Sequence, residues 1–232
     1  MRVLGIETST LQGGVALVDG HRVVCERTLS VQVTHSERLL PAIDAVLADA
    51  GTTLERLDGL AVSIGPGSFT GLRIGVSTVK GLAYATGLPV IGVPTLMAMA
   101  WLLPAAQYPI CPLLDARKQE VYAALFRHTD AGLVQVWDDR AISPERLCPL
   151  IDEPTLFVGD GVGAYADLWR ARLGDRMLQP PVFAREPRPA IIAALGRERL
   201  ERGERDDAER LVPRYLRPSE AELRRASAGA HA

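Results

Sequence analysis

Two lobes of α/β type, each a mixed β-sheet with flanking helices, are what this 232-residue sequence predicts, on three observations. An N-terminal β-meander is followed by a strand, a glycine-rich loop, a helix, a further strand and a further helix. The same order of parts partly recurs from residue 110 onward, as an internal structural echo rather than a literal repeat. A hydrophobic content of 47% gives a sizeable core to one two-lobed unit or to two small domains.

The first meander is read from RVLGIETS, GGVALVDG and RVVCERTLS, with Asp19-Gly20 supplying a hairpin turn of the primed type. In THSERLLPAIDAVLADAG, Leu39, Ile43 and Leu47 with Leu40, Val46 and Ala50 make a helical apolar face. Thr34 and Glu37 form a candidate capping box and Gly51 ends the helix. Pro41 falls inside, so the helix either starts later than the box implies or is kinked. LDGLAVSIG is a buried strand, GPGSFTG turns into the helix LRIGVSTVKGLAYATG, and the strand PVIGVP and helix TLMAMAWLL follow, a parallel-sheet pattern. ICPLLDAR, EVYAALFRH and GLVQVWDD then read as a second meander, followed by LFVGDGVGAY and a helix over residues 165–173. Such an order is what an actin-like, two-lobed nucleotide-binding architecture leaves in sequence. The expected boundaries are 1–104 for the first lobe, 105–218 for a reduced second lobe and 219–232 for a flexible tail. In such folds the turn between the first two strands, here IETSTLQGG, faces phosphates, and a carboxylate in it holds magnesium through water.

Composition excludes several functions. A net charge of −2 and a pI near 6.1 disfavour RNA binding by the chain on its own. Cys25, Cys111 and Cys148 are far apart with no Cys-x-x-Cys pair, which points to a reduced, cytoplasmic setting without a zinc or redox site. The N-terminus shows no export signal. Residues 81–114 carry no charge, but prolines at 89, 94, 104, 109 and 112 interrupt them. Their longest apolar run is well short of the roughly 20 residues that a membrane span needs. From residue 185 to 225, 11 arginines are interspersed with 9 acidic residues, which reads as a solvated helix laced with ion pairs.

Catalytic motifs are missing from the glycine-rich stretch. Ser68 and Ser77 lack the G-x-S-x-G elbow and a histidine base, and read as helix-capping serines. No Gly-Lys-Ser/Thr closes a P-loop, and Lys80 lies about two helical turns downstream. Two uses remain open. Ser68 or Thr70 caps a helix whose free amides suit an anion. Alternatively, Ser77, Gly81 and Ala85, four apart, form a strip of small residues that lets another helix approach, within this chain or from a partner.

IETST, HSERLLP, GPGSFTGLRIGVSTVKGLA, GVPTL, DARKQEVYAALF, GDG and PRYLR, in this order, resemble the TsaB (also called YeaZ) family from residue 1 to about residue 217. That family is the accessory subunit of the bacterial machinery making N6-threonylcarbamoyladenosine in tRNA. The resemblance implies an actin/Hsp70-like (ASKHA) fold and kinship with TsaD, the catalytic subunit, with which TsaB forms a heterodimer. TsaE, an ATPase, joins them for transfer to adenosine 37 of tRNAs reading ANN codons, and tRNA is met through the complex. First-lobe helices pair with those of TsaD, or of a second TsaB copy when TsaD is absent. On that analogy Leu39, Leu40, Ile43 and Leu47 on one helix, and Ser68, Phe69, Thr70, Arg73, Ser77, Gly81 and Ala85 on the next, form the contact.

The same resemblance puts Glu7, Thr8, Ser9 and Thr10 at an actin-like phosphate loop, with Gly65 and Gly67 as further candidate nucleotide or anion contacts. Aspartate is the more usual family residue at position 7, residues 115–117 lack a glycine, and GDG is too short for an adenosine pocket. A structural role for these turns is therefore favoured. TsaD-type proteins hold a metal with two histidines on a helix. The matching THSERLLP offers only His35, and His21, His128 and His231 lie in unrelated segments. No metal, no peptidase activity and no intrinsic cofactor are expected, with ATP or ADP and magnesium entering at the level of the complex. The alternative is an independent actin-fold ATPase or small-molecule phosphotransferase, against which stand the compact second lobe and the lack of a recognisable base.

Overall fold

The computed structural model describes residues 1–30 and 35–217. Thr34 of the expected capping box and the expected tail at 219–232 lie outside the described residues.

The first meander is β1 (Arg2–Glu7), β2 (Gln12–Asp19) and β3 (Arg22–Ser30), all antiparallel. A two-residue turn joins β2 to β3, with Gly20 at φ 56° as the turn requires. α1 (His35–Asp49) leads to β4 (Gly59–Gly65), α2 (Phe69–Thr86), β5 (Val90–Pro94) and α3 (Thr95–Ala100). β4 and β5 run parallel to β1, giving a five-stranded sheet in the order β3-β2-β1-β4-β5. The second meander is β6 (Ile110–Arg117), β7 (Glu120–Thr129) and β8 (Gly132–Ile142). α4 (Pro144–Leu147), β9 (Thr155–Val158), α5 (Asp160–Ala164), α6 (Ala166–Leu173), β10 (Met177–Leu178) and α7 (Pro189–Glu201) complete the chain. Its sheet, β8-β7-β6-β9-β10, repeats the first strand for strand, three antiparallel and two parallel. The partial echo in the sequence is a full repeat of sheet topology.

Period-two alternation divides each sheet between two cores. Leu4, Ile6, Val15 and Leu17 face α1 and α2, meeting Ile43, Val46, Val76 and Val79. Val3, Ala61 and Ile91 face the other way, toward Ile192 and Leu195 of α7. In the second sheet Cys111 and Leu113 meet Leu147, Trp169 and Leu173, while Ile110, Leu114 and Phe126 meet Leu96 and Met99 of α3. Helices are thus shared between the lobes: α3 lies between the sheets, with Leu96 and Met99 on the second and Ala98 on the first, and α7 packs on the first.

α1 runs through Pro41, its seventh residue, without starting late. The ring sits on the exposed side, where the one lost amide bond costs least. Gly51, at φ 60°, follows the helix end as expected.

Two expectations need correction. α7 and Asp206, within the residues assigned by sequence to the second lobe, return to the first sheet, while Arg214 and Arg217 reach the second. The arginine-rich region is also not a solvated helix: Ala190, Ile192, Ala193, Leu195, Gly196, Arg197 and Leu200 of α7 are buried, with ion pairs before the helix, Arg188 with Glu26, and in its C-terminal half, Arg197 with Glu201 and Arg199 with Glu204 and Asp206. Counting charge across the region masked the apolar run PAIIAALG at its start. No helix among the described residues is long and apolar enough to cross a membrane.

α7 lies on the sheet at backbone contact. A Cβ on Gly5 would sit 2.5 Å from the Ala193 nitrogen, and one on Gly196 would overlap the Ala61 side chain. Gly196→Val should therefore destabilise the protein by about 2–3 kcal/mol, read from the denaturation midpoint at unchanged slope.

Candidate partner interface and inter-lobe turns

β4 ends at Gly65 and α2 starts at Phe69, so three residues turn a strand into a helix. Gly65 has φ 108° and Gly67 φ 158°. A Cβ on Gly65 would lie 2.8 Å from the Arg214 carbonyl oxygen, and one on Gly67 would overlap the Ser9 carbonyl oxygen. Ser68 donates its amide to that same oxygen at 2.6 Å and caps α2 by accepting the Gly71 amide on Oγ at 3.2 Å. One turn further, Gly75 leaves room for Oγ1 of Thr8. The glycines therefore admit the chain's own β1–β2 turn and its C-terminal segment.

That β1–β2 turn is closed off. Glu7, Thr8, Ser9 and Thr10 are all buried. Glu7 Oε1 accepts the Ser9 amide at 2.5 Å and the Ser63 hydroxyl at 3.0 Å, and Thr10 donates its hydroxyl to the Gln12 carbonyl. Burial raises the Glu7 carboxyl above its usual range, against these hydrogen bonds, which favour the charged form. A phosphate at this turn would have to displace the 65–68 loop.

The outward surface of α2 is different. Ser77, Gly81 and Ala85 are exposed along one line, a Cβ on Gly81 would meet nothing within 4 Å, and Tyr84 beside it is 94% exposed. Among the described residues the small strip is therefore not used for packing. Ser68, Thr70 and Arg73 are exposed at the helix start; Phe69 is half-buried, stacked on Tyr215 at 4.7 Å with the Arg73 guanidinium 3.8 Å above its ring. On α1 the expected contact set divides. Leu39, Ile43 and Leu47 lie in the core of their own lobe and are closed to a partner, and only Leu40, 53% exposed, points outward. Their i, i+4 spacing makes one inward face, and Leu40, one residue on from Leu39, lies off it.

The second lobe's two turns differ, the β6–β7 turn being exposed and GDG close-packed. Arg117, Lys118 and Gln119, between β6 and β7, have φ of 60°, 52° and 62°. Cβ atoms on Gly159 and Gly161 would press on the Leu113 backbone, so GDG is a close-packed crossing; Asp160 accepts the Asp115 amide at 2.9 Å. No group of three metal-ligating side chains occurs among the described residues. Sequence reading did not single out Tyr215, Arg214 and Arg217, although PRYLR had been noticed, nor Glu186 beside Asp160.

Burial, with the Asp160 charge adding to it, pushes the Glu186 carboxyl up to about 7. Its proton is then held more tightly in the folded state than in the unfolded chain, so stability falls as pH rises from the unfolded value toward about 7. Allowing for solvent access, the loss is about 1–2 kcal/mol. Glu186→Gln should remove it, gaining that amount at about pH 8 and nothing at about pH 4 in denaturation curves.

Comparison with known proteins agrees with this architecture. A family model described as TsaD, tRNA N6-adenosine threonylcarbamoyltransferase, matches residues 27–225. The tRNA threonylcarbamoyladenosine biosynthesis protein TsaB of Bacillus subtilis is 32% identical, over 97% of each chain. YeaZ from Pseudomonas aeruginosa superposes with a TM-score of 0.76 at 30% identity, covering 93% of this chain and 99% of that one. The activator of the 2-hydroxyisocaproyl-CoA dehydratase from Clostridium difficile, 9% identical with a TM-score of 0.51 over 89% of this chain and 99% of its own, shares the actin/Hsp70-like fold alone. With its two matching sheets, its sequence blocks and these likenesses, the chain belongs to the TsaB (YeaZ) family.

Proposed function

We propose that this chain is a non-catalytic subunit in the synthesis of N6-threonylcarbamoyladenosine in tRNA, acting by pairing the outer surface of α2 with a TsaD subunit. A second copy of the chain takes that place when TsaD is absent. The B. subtilis relative's name and the family model's description support the pathway. The observation that carries the pairing is Gly81, in the middle of an 18-residue helix, exposed, with open space around it. Glycine there costs about 1 kcal/mol against alanine, and no contact among the described residues offsets it. Between Ser77 and Ala85 it leaves a flat lane along which another helix can approach closely, with the exposed Tyr84 on the same helix as an apolar contact.

On this reading nucleotide and magnesium belong to the assembled complex, with TsaE, and tRNA is met through it. Burial of the β1–β2 turn beneath the 65–68 loop supports this reading, as does the β6–β7 turn's lack of the glycine that close approach needs. Calorimetric titration of the isolated chain with magnesium-ATP should give no binding heat, and saturable binding would favour an independent nucleotide-dependent enzyme.

Reconstitution tests the role directly. TsaD, TsaE, threonylcarbamoyl-adenylate synthase and unmodified tRNA should yield modified adenosine, scored by mass spectrometry, only when this chain is present. Full modification without it would remove the proposal. Gly81→Trp should weaken association with TsaD tenfold or more, about 1.4 kcal/mol, while the isolated chain keeps its circular dichroism. Gly81→Ala should stabilise the isolated chain by about 0.5–1 kcal/mol. An association constant unchanged by tryptophan would sink the pairing through α2.

A further inference from the structure

After α7 the chain crosses from one lobe to the other with one hydrogen-bonded turn at residues 207–211 and without regular secondary structure on either side of it, tied down at several points. Asp206 pairs with the free edge of β5: its amide donates to the Val90 carbonyl at 2.9 Å and its carboxylate accepts the Gly92 amide at 2.7 Å, while Arg199 grips the same carboxylate. Lys80 of α2 donates to the carbonyls of Glu209 and Leu211, at 2.7 and 3.3 Å, and Leu211 enters the first-lobe core. The Arg214 amide donates to the Ile64 carbonyl at 2.6 Å, and Tyr215 stacks on Phe69 with its hydroxyl accepting from Arg73 at 3.0 Å. All of these bind the segment to the first lobe.

Two arginines face the other way. Arg214 reaches Asp139 on β8, an almost fully buried carboxylate, at 3.6 Å, and Arg217 pairs with Glu120 at 2.7 Å and donates to the Ala116 carbonyl at 3.4 Å. Ala116 and Glu120 flank the three consecutive left-handed residues between β6 and β7. Non-glycine residues hold that conformation only where surroundings over-determine it, and Arg217 grips both ends of the run.

We propose that residues 204–217 are a latch that fixes the angle between the two lobes and holds the β6–β7 turn in its left-handed form. The first-lobe contacts anchor the latch, and Arg214 and Arg217 are its catch. The apolar packing of α3 on the second sheet is the joint that remains when the catch is released. Because the anchor includes Phe69, Arg73 and Lys80, the same segment ties the start of α2 to the second lobe.

Double electron–electron resonance between spin labels at Arg56→Cys in the first lobe and Ala171→Cys in the second, in a Cys25→Ser background, reads the angle; Cys111 and Cys148 are buried. The parent should give one narrow distance distribution. Arg214→Ala with Arg217→Ala should broaden it and shift it to longer distances, and amide exchange across residues 115–121 should quicken. Should that variant fail to fold, Glu120→Arg alone tests the catch: it should broaden the distribution, and Arg217→Glu added to it should restore the narrow one. A distribution that stays narrow in either folded variant overturns the latch, whatever the outcome of the TsaD association measurements.

Discussion

The first lobe is organised by the approach of the 65–68 loop to the β1–β2 turn, two backbones brought together where no side chain fits between them. Gly67 faces the Ser9 carbonyl oxygen, Ser68 donates its amide to it, and Gly75 receives Thr8 a turn later. These contacts pin the first two turns of α2 to β1 and β4, and the inward side of the helix follows with Leu72, Val76, Val79 and Ala83. The outward side is then fixed in orientation without being covered. A rigid helix with one bare side is a consequence of how its N-terminus is held.

The repeat of sheet topology explains the rest of the architecture. Two copies of a five-stranded sheet each expose two faces, and α1 with α2, or α4 with α6, cover only one face of each. The remaining faces are covered by exchange, α3 lying between the two sheets and α7 on the first. Exchange ties the lobes by burial of apolar area, which is strong but non-directional. Direction comes from the polar contacts of the C-terminal segment, whose geometry is set by individual hydrogen bonds and ion pairs.

Sequence reading found the strands, the turns at Gly20 and Gly51 and the repeat, because these rest on local signals: alternation, glycine at positive φ and order of parts. It failed where an element's surroundings are distant in sequence. α7 carries both an apolar start and a charged end, and nothing local says that β1, with Gly5 opposite Ala193, lies beneath it. Leu39 and Leu40 were grouped as one face, although a step of one residue turns a side chain about 100° around the helix. For the interface, the small strip of Ser77, Gly81 and Ala85 was visible as spacing, but whether it packs within the chain was not, since that depends on what lies opposite. Tyr215 was invisible as the stacking partner of Phe69, 146 positions away, because no local pattern links them.

The inter-lobe region shows why a fold with a cleft need not present a ligand site. Buried polar groups require partners, and an ionised carboxylate taken from water costs far more than a neutral polar group unless its oxygens accept bonds. Glu7 takes the Ser9 amide and the Ser63 hydroxyl, Asp160 takes the Asp115 amide, and Asp139 takes the Gln135 amide and the Arg214 guanidinium. Each of these acids is held by bonds from the chain itself, although Glu7 Oε2 and Asp139 Oδ2 are left without a hydrogen bond. Burial still raises all three carboxyls, so their hydrogen bonds offset the desolvation only in part. The residual cost is tolerable because the same bonds fix the turns that aim α2 and seat the C-terminal segment, which turns an inherited cleft into the internal frame of a docking surface.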